Sequence, residues 1–265
     1  MSTFIHPTAL VEPGAELGTG CRVGPFSVVG PEVVLGDGVE LLSHVVVAGA
    51  TKVGAGTRIF PFASIGHAPQ DLKFKGERTV LEIGENNTIR ENVTMSPGTG
   101  NGGGVTRAGD RNLFMVAVHV AHDCIIGSGN VFANQVTLAG HVVVEDNVVA
   151  GGLSAVQQFC RVGQGAMIGG MSGITADVIP FGLTMGNRAH LAGLNLIGLN
   201  RRGADREHLN GLRAAFEAMF HGDGTLQTRL AAVETDYADN PLVQTVLDFV
   251  NADTSRHFTL PQQPG

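Results

Sequence analysis

The sequence predicts an all-β parallel β-helix built from hexapeptide repeats, followed by a C-terminal α-helical domain. Branched aliphatic residues recur every six positions over more than half of the chain. Glycine often follows them, and the 265 residues hold 38 glycines without the strict third-residue period of collagen. After Pro180 the apolar spacing changes to three and four, which is helical. These observations divide the chain at about residues 1–183 and 184–265.

The repeat opens at Ile5 and steps through Val11, Leu17, Val23, Val29, Leu35, Leu41, Val47, Val53, Ile59 and Ile65. It fails near residues 67–80, where Asp71 and Glu77 occupy aliphatic positions, so an extruded loop is expected there. It returns at Ile83, Ile89 and Met95, then meets the glycine-rich run from Ser96 to Gly104. A second insertion is therefore expected near residues 96–107. From Ala108 the step runs unbroken through Phe114, Val120, Ile126, Phe132, Leu138, Val144, Ala150, Val156, Val162 and Ile168 to Ile174. Three short strands per coil would turn one aliphatic from each face into a shared core that no single coil could form. Beyond Pro180, three helices are expected: one through Leu209, Leu212, Phe216 and Met219, one from Leu226 to Tyr237, and one from Leu242 to Val250. Asn240-Pro241 has the form of an N-cap and first-turn pair for the last. The polar tail from Asp253 is expected to fray.

Composition excludes several functions. A net charge of −7 argues against general nucleic-acid binding, which needs basic surface to replace phosphate counterions. The N-terminus lacks the basic-then-apolar pattern of a secretory signal, and no apolar run approaches the length of a membrane span. Cys21, Cys124 and Cys160 have no metal-ligand spacing. A reducing, cytoplasmic setting is expected.

Chemistry points to Val118-His119-Val120-Ala121-His122-Asp123-Cys124. Histidine exchanges protons near neutral pH, and an adjacent carboxylate can orient it. Residues eighteen apart should stack on successive coils, about 4.8 Å apart. His122 then heads a column continued by Gly140 and Gln158, and Asp123 heads one continued by His141 and Phe159. Gly140 offers a backbone N–H that no Cβ obstructs, so His122 as general base and Gly140 as oxyanion donor would suit acyl transfer. A second reading gives His119, His122 and His141 to zinc, as in a hexapeptide-fold hydratase. Residues 98–104 lack the Gly-Lys-Ser/Thr ending of a P-loop and read as a flexible extruded loop. Asp71 with Lys73 reads as a solvated pair, and Arg201-Arg202 as a basic surface.

Taken together, His119 through Cys124, Leu138-Ala139-Gly140-His141, Gln157-Gln158-Phe159-Cys160, Gln70-Asp71-Leu72-Lys73, and Asn195 through Arg201-Arg202-Gly203 resemble the bacterial UDP-N-acetylglucosamine 3-O-acyltransferases. The resemblance covers nearly the whole chain and implies a left-handed coil. It also implies a homotrimer with sites between neighbouring β-helices, acting in the first step of lipid A synthesis. Acyl carrier protein would donate an (R)-3-hydroxyacyl chain to the 3-position of UDP-N-acetylglucosamine, with no metal or other cofactor. On this resemblance His122 is the base, Asp123 orients it and Gly140 stabilises the oxyanion. His119, His141, Asp71, Lys73 and Gln158 hold sugar and donor; Asn195, Arg201 and Arg202 meet the nucleotide; Gly170 marks the acyl-length position. Lys73, Lys75 and Arg78 are candidates for contact with the acidic carrier protein. The chain departs from the family pattern at Gln157 and Arg188, where histidine is common, and at Ile197, where glutamate is common. A related acceptor, the 3-amino analogue, would give an amide in place of an ester.

Overall fold

The computed structural model of the protein describes residues 2–252 and 256–262. Among these residues the first two-thirds form a three-sided prism whose sheets have eleven, nine and eight strands, all parallel except the strand that ends the first sheet. Each coil contributes one short strand to each sheet in turn. Phe4 pairs with Arg22, and Leu10 with Val28, so a regular coil is eighteen residues. The six-residue aliphatics point inward and fill one continuous core from Val23 to Val178. Phe114 and Phe132 stack within it at 5.1 Å. At the N-terminal end the core lies open, with Phe4 and Ile5 nearly half exposed.

Both interruptions are insertions between the second and third sheets. Arg58 pairs with Thr88 and Thr88 with Leu113, so these two coils are 30 and 25 residues long. The strands that follow the insertions, Val80–Ile83 and Val105–Ala108, are longer than most and pair with each other.

Corners between sheets turn through one residue of positive φ. The first corner uses Phe26, His44, Phe62, Leu153 and Met171; the second uses Asp123, His141 and Phe159; the third uses Gly38, Gly56, Gly129, Asn147 and Gly165. For a residue with a Cβ this conformation costs about 1–2 kcal/mol. The cost is offset by a repeated hydrogen bond, since the N–H at most such corners donates to a carbonyl one coil back, as from His44 to Pro25, His141 to His122, and Asn147 to Ser128, at 2.9–3.0 Å.

The prism gives way to a hairpin, Gly182–Met185 with His190–Leu194, whose first strand extends the first sheet in parallel and whose second returns antiparallel. This hairpin straddles the expected division at residue 184. Among the described residues four helices follow: α1 (Leu196–Arg201), α2 (Arg206–His221), α3 (Leu226–Asp236) and α4 (Pro241–Asn251). Each starts on a capping side chain, Asn195, Asp205, Thr225 and Asn240, and Pro241 opens α4 as expected. Their apolar stripes pack together and onto Ile179, Phe181 and Leu191. The short helix α1 had no periodic signal in the sequence.

The tail corrects one expectation. Part of it, residues 253–255 and 263–265, lies outside the described residues, but residues 256–262 do not fray. Their backbone bonds to Asp177 and Leu191, and the Arg256 guanidinium donates to the Gln158 carbonyl at 2.8 Å. The fully buried Asp177 is also paired with Arg161, whose guanidinium lies 4.1 Å from the Phe249 ring centroid. Two elements distant in sequence are thereby anchored to the third sheet.

Candidate active site

His119 lies in a strand of the second sheet, His119–Val120, and the chain turns at once into the second corner. Outward-pointing His119 places Nδ1 2.7 Å from the Thr94 hydroxyl on the coil below. His122 and Asp123 are at the corner itself, both buried although they lie on the outside of the prism. What covers Asp123 is the glycine-rich insertion. His122 Nδ1 stands 2.8 Å from Asp123 Oδ2. Thr99 donates its N–H to Asp123 Oδ1 at 2.9 Å and its hydroxyl to Oδ2 at 2.7 Å. The Asp123 N–H donates in turn to the Thr106 hydroxyl. Reading this insertion as a free flexible loop is therefore corrected: it folds back onto the carboxylate.

The eighteen-residue columns stand as the register places them. An ideal Cβ at Gly140 would lie 2.5 Å from His122 Cε1 and 2.7 Å from Nε2, so only glycine leaves the imidazole its place. Among the described residues the Gly140 N–H has no internal partner. His141 packs edge-on to His122 at 5.1 Å and flat on Phe159 at 4.4 Å. Gln158, one coil further, is exposed.

Burial lowers the pKa of His119, with the neighbouring His122 adding to the shift. Burial also lowers that of His141, against the opposing charges of Asp123 and Asp71. The carboxylate of Asp71, in the first insertion, therefore lies within electrostatic range of the site. Lys73 sits two residues on, its N–H donating to Asp71 Oδ1, with its side chain in solvent.

Other expected residues stand elsewhere. Asn195 is buried and its amide is committed, capping α1 at Gly198 N–H and donating to the Gly165 carbonyl. Arg202 lies against Gly165 and Asn147 at the third corner, where burial pushes its guanidinium below the ordinary value. Arg201, Arg188, Gln157 and Ile197 are exposed. Gly170 is at the first corner beside Gly152, across the second sheet from His122. One chain thus gathers His119, His122, Asp123, Gly140, His141, Gln158 and Asp71, but not Asn195, Arg201, Arg202 or Gly170. A cleft of about 560 Å³ between the third sheet and α4 lies away from the histidines, and two of its charged groups, Arg161 and Glu145, already have partners.

His122, Asp123 and His141 offer ligand atoms within 4.8 Å of one another, a set in which Asp123 replaces the expected His119. Both oxygens of Asp123, however, already accept hydrogen bonds from Thr99, and one faces His122. That arrangement suits a histidine that handles a proton better than a metal ligand set. Sequence reasoning missed Thr99 and Thr106. The only signal was that the glycine run begins beside a threonine.

Known proteins match this architecture throughout. Residues 177–259 match the family model described as UDP N-acetylglucosamine O-acyltransferase, domain 2. The acyl-[acyl-carrier-protein]–UDP-N-acetylglucosamine O-acyltransferase of Sinorhizobium fredii is 49% identical over 100% of this chain and 98% of its own length. That of Paracoccus denitrificans is 56% identical over 77% of each chain. The solved LpxA of Acinetobacter baumannii superposes with a TM-score of 0.93 at 40% identity, covering 98% of this chain and 100% of that one. The coil is thus a left-handed parallel β-helix. At 49% identity over its whole length, and with the fold of the solved LpxA, the chain belongs to the acyl-[acyl-carrier-protein]–UDP-N-acetylglucosamine O-acyltransferase family and is an acyltransferase.

Proposed function

We propose that the chain transfers an (R)-3-hydroxyacyl group from acyl carrier protein to the 3-hydroxyl of UDP-N-acetylglucosamine, the opening step of lipid A synthesis in the cytoplasm. The observation that carries the mechanism is the buried His122–Asp123 pair facing Gly140. An ionised carboxylate only accepts hydrogen bonds, so Asp123 holds the proton of neutral His122 on Nδ1 and leaves the Nε2 lone pair free. Nε2 takes the proton of the sugar hydroxyl as that oxygen attacks the thioester carbonyl. The unpaired Gly140 N–H stabilises the tetrahedral oxyanion. When the intermediate collapses the C–S bond breaks, and the imidazolium returns its proton to the departing carrier thiolate. His119 and His141, held neutral by burial, serve as hydrogen-bonding groups for the sugar, with Asp71, Lys73 and Gln158 at the rim. O-acyltransferase names among close relatives favour the ester product over the amide.

The separation of groups within one chain supports a homotrimer. Asn195, Arg201 and Arg202 belong to the third-corner side, and the exposed Arg202 side chain there suits a phosphate. Such groups meet the second corner only if a neighbouring copy brings them, and an acyl chain laid along the second sheet would reach Gly170 at the first corner. Lys73, Lys75 and Arg78 would face the acidic carrier protein, although Arg78 is already paired with Glu32.

Mixing variants tests the reading. H122A and R202A are expected to be inactive or severely impaired separately. Subunit exchange between them should restore sites in which one copy supplies His122 and its neighbour Arg202. Failure to recover activity in verified mixed oligomers would sink the shared site.

A further inference from the structure

We propose that Thr99 is a positioning residue for the reaction: the glycine-rich insertion closes over the site to hold the Asp123 carboxylate, and through it the productive ring orientation and tautomer of His122. The inference rests on reading His122 as the general base.

Four observations converge on it. Thr99 is only 3% exposed, and both its N–H and its hydroxyl are directed at Asp123. The hydroxyl and His122 Nδ1 share one oxygen, Oδ2, at 2.7 and 2.8 Å, so Thr99 bonds to the atom that orients the imidazole. The backbone approach is possible only without side chains on either flank. A Cβ at Gly98 would lie 2.8 Å from Asp123 Oδ1, and one at Gly102 would run into the carboxylate itself. Finally, the Gly100 N–H donates to Glu77 Oε1 at 2.9 Å, which ties the clamp to the insertion that carries Asp71 and Lys73.

These contacts solve a physical problem. A carboxylate that is almost wholly out of water needs donors, and its negative charge would otherwise favour protonation. Thr99 supplies two donors, leaving the remaining lone-pair direction on Oδ2 for His122. Without the hydroxyl, Oδ2 has one directional restraint fewer and the ring it orients loses definition. Glycine in this loop therefore has a different purpose from glycine in a phosphate cradle: it lets the backbone reach an anion that belongs to the protein.

The test uses the full-length enzyme and its kcat and KM for both substrates. T99V, which keeps the backbone N–H and loses the hydroxyl, is expected to lower kcat about tenfold, the lower end of the effect of a hydrogen bond to a charged group. KM should stay within about twofold, since the threonine touches no substrate. T99S should recover most of the loss. In a D123A background the same T99V change should cost nothing further, because there is no carboxylate left to hold. If T99V does not fold, as judged by thermal unfolding, T99A carries the same comparison. Wild-type kcat in the valine variant, or an equal loss with and without Asp123, would overturn the inference. An active H122A enzyme would instead overturn the general-base reading beneath it, so the two failures are told apart.

Discussion

Two histidine-bearing corners of the same prism show what makes a site. His44 and His141 share a backbone conformation, with φ of 57° and 62°, and each donates its N–H to a carbonyl one coil below. His44 is stacked between Phe26 and Phe62 at 4.9 and 5.1 Å, and His141 is stacked on Phe159 at 4.4 Å. Yet the first ladder is open to solvent, whereas the second adjoins a buried acid-paired histidine. The coil geometry and its backbone strain are common to both. What differs is the glycine-rich insertion at the second corner, which removes Asp123 from water and supplies two of its donors. Regular repetition can present a histidine at any corner, but only the irregular part buries a carboxylate beside one.

The comparison can be broken most directly at His122. H122A is expected to lower kcat by about 10³-fold, within the usual contribution of a general base. Its unfolding temperature should barely move, because the side chain lies outside the core. Near-normal turnover would mean that the buried, acid-paired His122 is not the base.

Gly140 comes next. An alanine Cβ there would press into the imidazole at 2.5 Å, so G140A should displace the ring and lower kcat by about 10²-fold. A crystal structure of the variant showing an unmoved His122, together with full activity, would remove Gly140 from the mechanism.

A pH effect sharpens the contrast in burial. His119 has a folded pKa below its ordinary value of 6.5 because burial disfavours its charged form. The unfolded chain therefore binds more protons in the window below 6.5, so this residue makes stability rise with pH there and fall as the solution is acidified. Above that window its contribution is flat. In H119N the decline in unfolding free energy between about pH 6.5 and 5 should be shallower than in the wild type. An identical slope would show that His119 is not the group responsible.

The smallest effect is expected at the open ladder. H44A loses two exposed ring contacts, each at most about 1 kcal/mol in stability, and should leave kcat within about twofold. A large kinetic loss would mean that the first corner participates in the reaction and that the contrast is false.

The sequence by itself determined the coil, the columns and three of the four helices. The inward aliphatics lock each coil in register, so an eighteen-residue spacing converts directly into vertical contact. That rule sufficed to stack Gly140 on His122 and His141 beside Phe159, and helical spacing with the Asn240-Pro241 cap sufficed for α4. Tertiary structure alone decided what escapes the period. Thr99 reaches Asp123 across 24 residues through a loop whose glycines permit many paths, and the contact between them is chosen by the buried carboxylate's need for donors. The docked tail and the commitment of the Asn195 side chain have the same origin. Each is a buried polar group finding a partner at a sequence distance that no repeat encodes.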